Sequence, residues 1–267
     1  MSSILGEAKA QWPQWGGPNR SFTVETEGLA DKWPEDGPPK LWYRELGDGY
    51  SAIVYDDGVL YTMYRRTRTD EEESTVALDA KTGEIVWEHK IPSPLTKPVE
   101  EWGYGPNSTP LIVGNHLYTI GTNAVFRCFE KKTGEVLWTH DLVEESHIPA
   151  IEGVGYSSSP MAYKNMMIMA GGRRPSDDAG ETSESAESAN AARDKSRKDA
   201  QTLLAFDQRT GKLMWKDPDF KVGPSSPILI NFAGRDQLVL YTGEGIIGVD
   251  PNRGGLLWHH TPSRRKA

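Results

Sequence analysis

An eleven-residue pattern that occurs four times constrains this 267-residue chain more than any other feature. Ala77-Leu78-Asp79-Ala80-Lys81-Thr82-Gly83-Glu84-Ile85-Val86-Trp87 is followed by equivalent stretches from Cys128 to Trp138, Ala205 to Trp215 and Gly248 to Trp258. In each copy an alternating apolar run ends at an acidic residue and a second run begins after a glycine, which reads as strand, tight turn, strand. The carboxylate can accept hydrogen bonds from turn amides, and glycine supplies a positive φ that a Cβ resists. The Trp then holds a fixed place on the second strand, where it can wedge against the neighbouring unit.

A looser motif precedes each copy: Gly49-Tyr50-Ser51-Ala52, Gly105-Pro106-Asn107-Ser108-Thr109-Pro110, Gly155-Tyr156-Ser157-Ser158-Ser159-Pro160 and Gly223-Pro224-Ser225-Ser226-Pro227. An apolar strand follows each one, and usually a turn and another strand after that, so one unit is four strands. Trp42, Trp87, Trp138, Trp215 and Trp258 mark the phase, at intervals of 45, 51, 77 and 43 residues. The long interval holds an insertion at 175–200, rich in Ser, Ala and charged residues and lacking large apolar ones, which is expected to be disordered. Without it the repeat falls in the range of about 40 to 50 residues per propeller blade. Nine Trp, ten Tyr, 27 Gly and 18 Pro fit many short strands joined by tight turns.

A net charge of −8, from 38 acidic and 30 basic residues, argues against a nucleic-acid partner. No apolar run reaches the length of a membrane span. Met1 to Ala10 offers only Ile4 and Leu5 as an apolar stretch, so the start does not read as a signal peptide. Cys128 is the single cysteine and reads as a small buried hydrophobe on a strand.

On these residues the chain resembles the PQQ-binding-like (quinoprotein-like) β-propeller repeat proteins, whose blade motif is A-x-D-x-x-T-G-x-x-x-W. Ala77 to Trp87 and Ala205 to Trp215 match it at every fixed position. Trp12-Pro13-Gln14-Trp15-Gly16-Gly17-Pro18-Asn19-Arg20 is similar to the W-P-Q-W-x-G-P-N-R opening of bacterial secreted members. The resemblance implies an all-β fold: a β-propeller of four-stranded antiparallel blades, about four of them here, as part of a seven- or eight-bladed ring. Residues 1–37 then form an N-terminal extension with the WPQW segment. Residues 38–267 form the partial propeller, with blades at about 49–90, 103–141, 153–219 and 222–260.

The family includes propeller lipoproteins of outer-membrane assembly and PQQ- and calcium-dependent alcohol or sugar dehydrogenases, and fold alone does not choose between them. The dehydrogenase reading needs a carboxylate base, an oxygen-ligated calcium and adjacent cysteines against the quinone. One cysteine does not supply that pair, and no Asp/Glu/Asn cluster can be assigned to a metal. The expectation is therefore a non-catalytic binding or scaffolding propeller with no catalytic, cofactor-binding or metal residues and no cofactor. PQQ with calcium is the alternative.

The five tryptophans are assigned to docking. Tyr104, Asn107, Tyr156, Ser157 and Ser158 precede first strands and are candidates for lining a polar channel; the competing reading is turn chemistry and strand-start hydrogen bonding. His259 and His260 are strand neighbours that point to opposite faces, which disfavours a chelating pair. The partner is a protein or a saccharide. The location is periplasmic or secreted by resemblance, with the cytoplasm left open by the missing leader. Trp42 looks like the last strand of a blade without its first three, and a homodimer of half-rings is one way to close the ring. Limited proteolysis is expected to cut first within 175–200, with fragment masses as the readout; protection there overturns the disordered-insertion reading.

Overall fold

The computed structural model describes residues 11–25, 31–94, 105–146, 156–171, 203–217, 220 and 225–262. The insertion at 175–200 and Tyr104 lie outside the described residues. The fold is a partial β-propeller of four antiparallel sheets, each built from four consecutive strands in sequence order.

Blade 1 comprises β1 (Val54–Asp56), β2 (Val59–Tyr64), β3 (Glu72–Asp79) and β4 (Ile85–Pro92). Blade 2 comprises β5 (Leu111–Val113), β6 (His116–Ile120), β7 (Val125–Glu130) and β8 (Val136–Asp141), followed by the short helix α1 (Leu142–Ser146). Blade 3 is β9 (Met161–Tyr163), β10 (Met166–Ala170), β11 (Leu203–Asp207) and β12 (Leu213–Asp217). Blade 4 is β13 (Ile228–Phe232), β14 (Arg235–Thr242), β15 (Gly245–Val249) and β16 (Leu256–His260).

The repeated pattern builds the last turn of each blade. In blade 1 the Asp79 carboxylate accepts the Lys81 and Thr82 amides, both at 2.8 Å, and the Thr82 hydroxyl accepts the Glu84 amide at 3.2 Å. Glu130 with Thr133, and Asp207 with Thr210, repeat the arrangement. The glycine that follows is left-handed in every copy: Gly83 at φ 71°, Gly134 at 74°, Gly211 at 71° and Gly254 at 80°. Acid, threonine and glycine are thus three parts of one local device, each satisfying or permitting a backbone group that the turn would otherwise strand.

Each outer strand also carries a β-bulge immediately before its Trp. Pairing runs Ala77 with Trp87 but Leu78 with Ile85, and the same slip recurs at Leu137, Met214 and Leu257. A bulge re-aims the side chains beyond it. The residue opposite the Trp is Ala77, Cys128, Ala205 or Gly248, always small, which leaves room for an indole to lie over the sheet. This accounts for Cys128, which is fully buried at the alanine position of the motif.

The indoles reach across blade boundaries. Trp42 Nε1 donates to Ala80 O at 2.9 Å, Trp87 Nε1 to Lys131 O at 2.8 Å and Trp138 Nε1 to Gln208 O at 3.2 Å. Every acceptor is the residue after the turn acid of the following blade. The rings cover the turn glycine: a Cβ added at Gly134 would meet Trp87 Cδ2 at 2.6 Å. Trp215 packs against the core between blades 3 and 4, but its buried Nε1 has no hydrogen-bond partner. Trp258 turns back on its own sheet, donating to Gln237 Oε1 at 2.6 Å and staying 36% exposed.

Around Trp42 the expected strand is replaced by irregular backbone, anchored where Asp48 and Arg65 exchange amide–carbonyl bonds at 2.8 Å. Among the described residues no sheet includes this segment.

The apolar core is accordingly a series of layers between blades. Val54, Tyr61 and Trp87 of blade 1 meet Ile112, Leu117 and Phe129 of blade 2. Tyr118, Phe126 and Cys128 of blade 2 meet Met167, Leu204 and Phe206 of blade 3, and Ile168 and Ala205 of blade 3 meet Leu238 and Ile247 of blade 4. Trp87→Ala is expected to cost about 3–5 kcal/mol, and Gly134→Ala about 2–4 kcal/mol from backbone strain plus the clash with the indole. Gly58→Ala, at φ 82° but with no atom within 4 Å of the new Cβ, is expected to cost only the strain, about 1–2 kcal/mol. Urea unfolding followed by tryptophan fluorescence checks the order.

Candidate functional site

The first strands of the blades, which form the inner side of a propeller, are fastened by hydroxyls. Ala52 N donates to Thr109 Oγ1 at 3.3 Å, Thr109 N to Ser159 Oγ at 3.0 Å and Ser159 N to Ser226 Oγ at 2.9 Å. These residues hold the same place in the looser motif of successive blades. In blades 2 to 4 it is the hydroxyl before proline, so each unit lends its oxygen to the amide of the unit before.

The N-terminal segment is laid against this inner side. Trp12 exchanges two backbone bonds with Tyr55 of β1, at 3.0 and 2.9 Å, and Pro13 O accepts Ile112 N of β5 at 2.8 Å. The segment then turns back through Gly16 and Gly17, with Phe22 N bonded to Gly16 O at 2.9 Å and Phe22 edge-on to Trp15 at 4.7 Å. Arg20 Nη1 donates to Gln14 Oε1 and to Pro160 O beside β9, both at 3.3 Å. The W-P-Q-W-x-G-P-N-R stretch therefore touches three blades in turn.

Of the channel-lining candidates, Asn107 and Ser157 are half-buried near strand starts. Tyr156 and Ser158 are buried, at 3% and 4% exposure, and Tyr156 sits in the apolar layer between blades 2 and 3 instead of facing solvent. Its amide is tied to Thr122 O of blade 2 at 2.9 Å, which draws the ring into the junction, and burial pushes its phenol well up. The Ser158 hydroxyl interacts with the Tyr156 phenol and partly offsets that effect of burial.

Two charged clusters join blades 1 and 2 and carry no signal in the sequence. Arg65 is fully buried, 3.1 Å from Glu73 and 2.8 Å from Ser93 O, while Glu73 accepts the Thr122 amide at 3.1 Å. Lys131 reaches across to Asp56 in a largely buried pair. Removing one member of a buried pair strands the other, which costs about 3–5 kcal/mol.

Burial pushes the Cys128 thiol up to about 12, and its place opposite Trp138 makes it a packing residue. Among the described residues no group of three or more His, Cys, Asp or Glu is placed to hold a metal ion. His259 and His260 are both exposed, with His259 Nε2 3.4 Å from Glu244 O. Elsewhere a groove of about 350 Å3 beside blade 1 is lined by Arg44, Arg66, Glu45, Glu88 and Tyr64. Its opposite charges balance, and Tyr64 already donates to Glu88 at 2.5 Å.

Four-stranded blades, acid-Thr-Gly turns and cross-blade indoles define a quinoprotein-like propeller repeat protein. The chain belongs to the family described as outer membrane protein assembly factor BamB, whose model matches residues 31–174 and 72–267. BamB of Kangiella koreensis is 28% identical over 93 residues, covering 35% of this chain and 22% of the relative. A europium-containing methanol dehydrogenase shares the fold at a TM-score of 0.53 and 15% identity, over 79% of this chain and 41% of that one. BamB from Moraxella catarrhalis aligns at a TM-score of 0.45 and 14% identity, over 80% of this chain and 62% of that one. The chain thus spans less than two thirds of each of these proteins.

Stability is expected to fall in two stages on acidification. Burial, aided by Arg127, holds His89 below its ordinary 6.5, so its contribution is complete above that value and is lost as pH drops from 6.5 through the lower folded value. Turn hydrogen bonds, led by the Thr82 amide at Asp79, the Thr210 hydroxyl at Asp207 and the Asn252 amide at Asp250, hold these carboxylates below 3.8. Their contribution is present above 3.8 and lost below it. Urea midpoints measured from pH 7 to 3 are expected to show both stages, and His89→Gln to remove the first.

Proposed function

We propose that this chain is a non-catalytic binding and scaffolding propeller of the bacterial cell envelope that engages protein partners in outer-membrane protein assembly, without a resident cofactor. The observation that carries the reading is the family match, which together covers residues 31–267 and so includes all four blades. The site geometry supports it. Charged and hydroxyl groups at the inner strands are spent on joining blades, and a rigid stack of sheets presents loops and outer strands to partners. Among the described residues no helix is long and apolar enough to cross a membrane. A periplasmic location fits the assembly role.

Tagged protein recovered from detergent-solubilised envelope of the native host, after crosslinking, is expected to carry outer-membrane assembly components. Recovery with saccharide alone, or with no assembly component, overturns the reading. In parallel, incubation with PQQ and calcium is expected to give no dye-linked alcohol or sugar oxidation above background; turnover would establish the dehydrogenase instead.

A further inference from the structure

His140, near the end of β8, lies between two acceptors that belong to different parts of the fold. Its Nδ1 is 2.5 Å from Glu145 Oε2 of α1, and its Nε2 is 2.7 Å from Gly211 O in the last turn of blade 3. A carboxylate oxygen and a carbonyl oxygen have no hydrogen to give. A neutral imidazole has one donor nitrogen and one acceptor nitrogen, so either tautomer sets a lone pair against a lone pair at one of the two contacts. Only the ring that carries both protons donates at each end.

The surroundings suit a cation. The His140 side chain is 20% exposed, and its ring packs between Trp138 and Phe206, with centroids 5.6 and 4.9 Å away. Phe126 of β7 is its ladder partner. Aromatic faces of this kind attract positive charge. The charged groups around the ring leave that balance in place. On the side of α1, Glu145 Oε1 accepts the Asp141 amide at 3.1 Å, and Asp141 Oδ1 accepts the Val143 and Glu144 amides at 3.0 and 3.2 Å. On β7, Arg127 has Asp141 and Glu73 as its opposite charges. In the blade 3 turn, the Asp207 carboxylate is taken by the Arg209 and Thr210 amides, while Arg209 and Lys212 are exposed on either side of Gly211.

We propose that His140, carrying both ring protons, is a pH-sensitive latch that fastens α1 to the last turn of blade 3. The helix follows blade 2 directly, so the latch adds a polar tie between blades 2 and 3 beside the indole of Trp138. It is closed on the acidic side of the ring's own titration and opens as pH rises through it, because loss of either proton removes one of the two donors. That sense is opposite to the loss of the His89 contribution on acidification, and the two are separable because the latch acts locally on α1. The inference is independent of the assembly role.

The test uses the purified full chain. Nitrogen resonances of the His140 ring, which distinguish the doubly protonated ring from either neutral tautomer, are followed against pH together with hydrogen exchange at the Asp141 amide, which Glu145 covers. The protection of that amide, taken as a ratio to His140→Phe at the same pH, is expected to be at least about threefold where the ring holds both protons and to approach one where it has lost one. Glu145→Gln offers an amide in place of the carboxylate and is expected to lower the midpoint of the ring titration by about one pH unit. An unchanged midpoint in Glu145→Gln, or Asp141 protection that does not follow the ring titration, overturns the latch. Should a variant fail to fold, the unaltered protein decides: the ring titration and the Asp141 exchange, corrected for its intrinsic pH dependence, are expected to share one midpoint, and separate midpoints overturn the proposal.

Discussion

The indole that crosses from one blade to the next is the contact on which the remaining architecture depends. Trp87 links two sheets that share no strand, donating to Lys131 O while its ring covers Gly134 and stacks on Phe129 at 5.8 Å. Three other features exist to permit it. The glycine must lack a side chain where the ring lies, the bulge at Val86 must aim the Trp, and the residue paired with it must be as small as Ala77. A hydrogen bond alone contributes about 1 kcal/mol; combined with a buried aromatic face it becomes a major part of each junction. Hydroxyls at the inner strands and the pairs Arg65–Glu73 and Lys131–Asp56 then fix the angle at which neighbouring sheets meet.

Much of this was legible in the sequence because it is local. The acid and Gly of each turn, with Thr between them in the first three, act within five residues, so their spacing reveals both the turn and the strands on either side. The small residue opposite the Trp was visible as the first letter of the motif, but its reason was not, since the bulge that pairs Ala77 with Trp87 changes no residue type. The strand-start Ser and Thr were seen as repeated, and their use as acceptors for the preceding blade needed coordinates. Arg65 could not be found by pattern, since it holds no repeated position and Ser93 lies far along the chain; Arg20 was visible as the end of the W-P-Q-W-x-G-P-N-R stretch, but its contact with Pro160 was not.

Beside the strand starts where the sequence suggested a polar funnel, Trp12 and Pro13 bond to backbone groups of β1 and β5, and Tyr156 packs in a blade junction. The N-terminal segment and propeller are thus one packed unit at this face. A shared fold with a methanol dehydrogenase therefore says how the sheets are arranged and leaves the chemistry to the residues, which here serve cohesion.

The final indole gives the stack a direction. Blades 1 and 2 each give an indole to the turn ahead, and the first turn, at Ala80 and Gly83, is already filled by Trp42. The stack is therefore capped at its leading end. At the trailing end Trp258 is folded onto Gln237, and Phe232 and Tyr241 of the same sheet are 68% and 58% exposed. Among the described residues the first turn is thus filled by an indole from outside its sheet, whereas the last indole serves only the sheet that carries it.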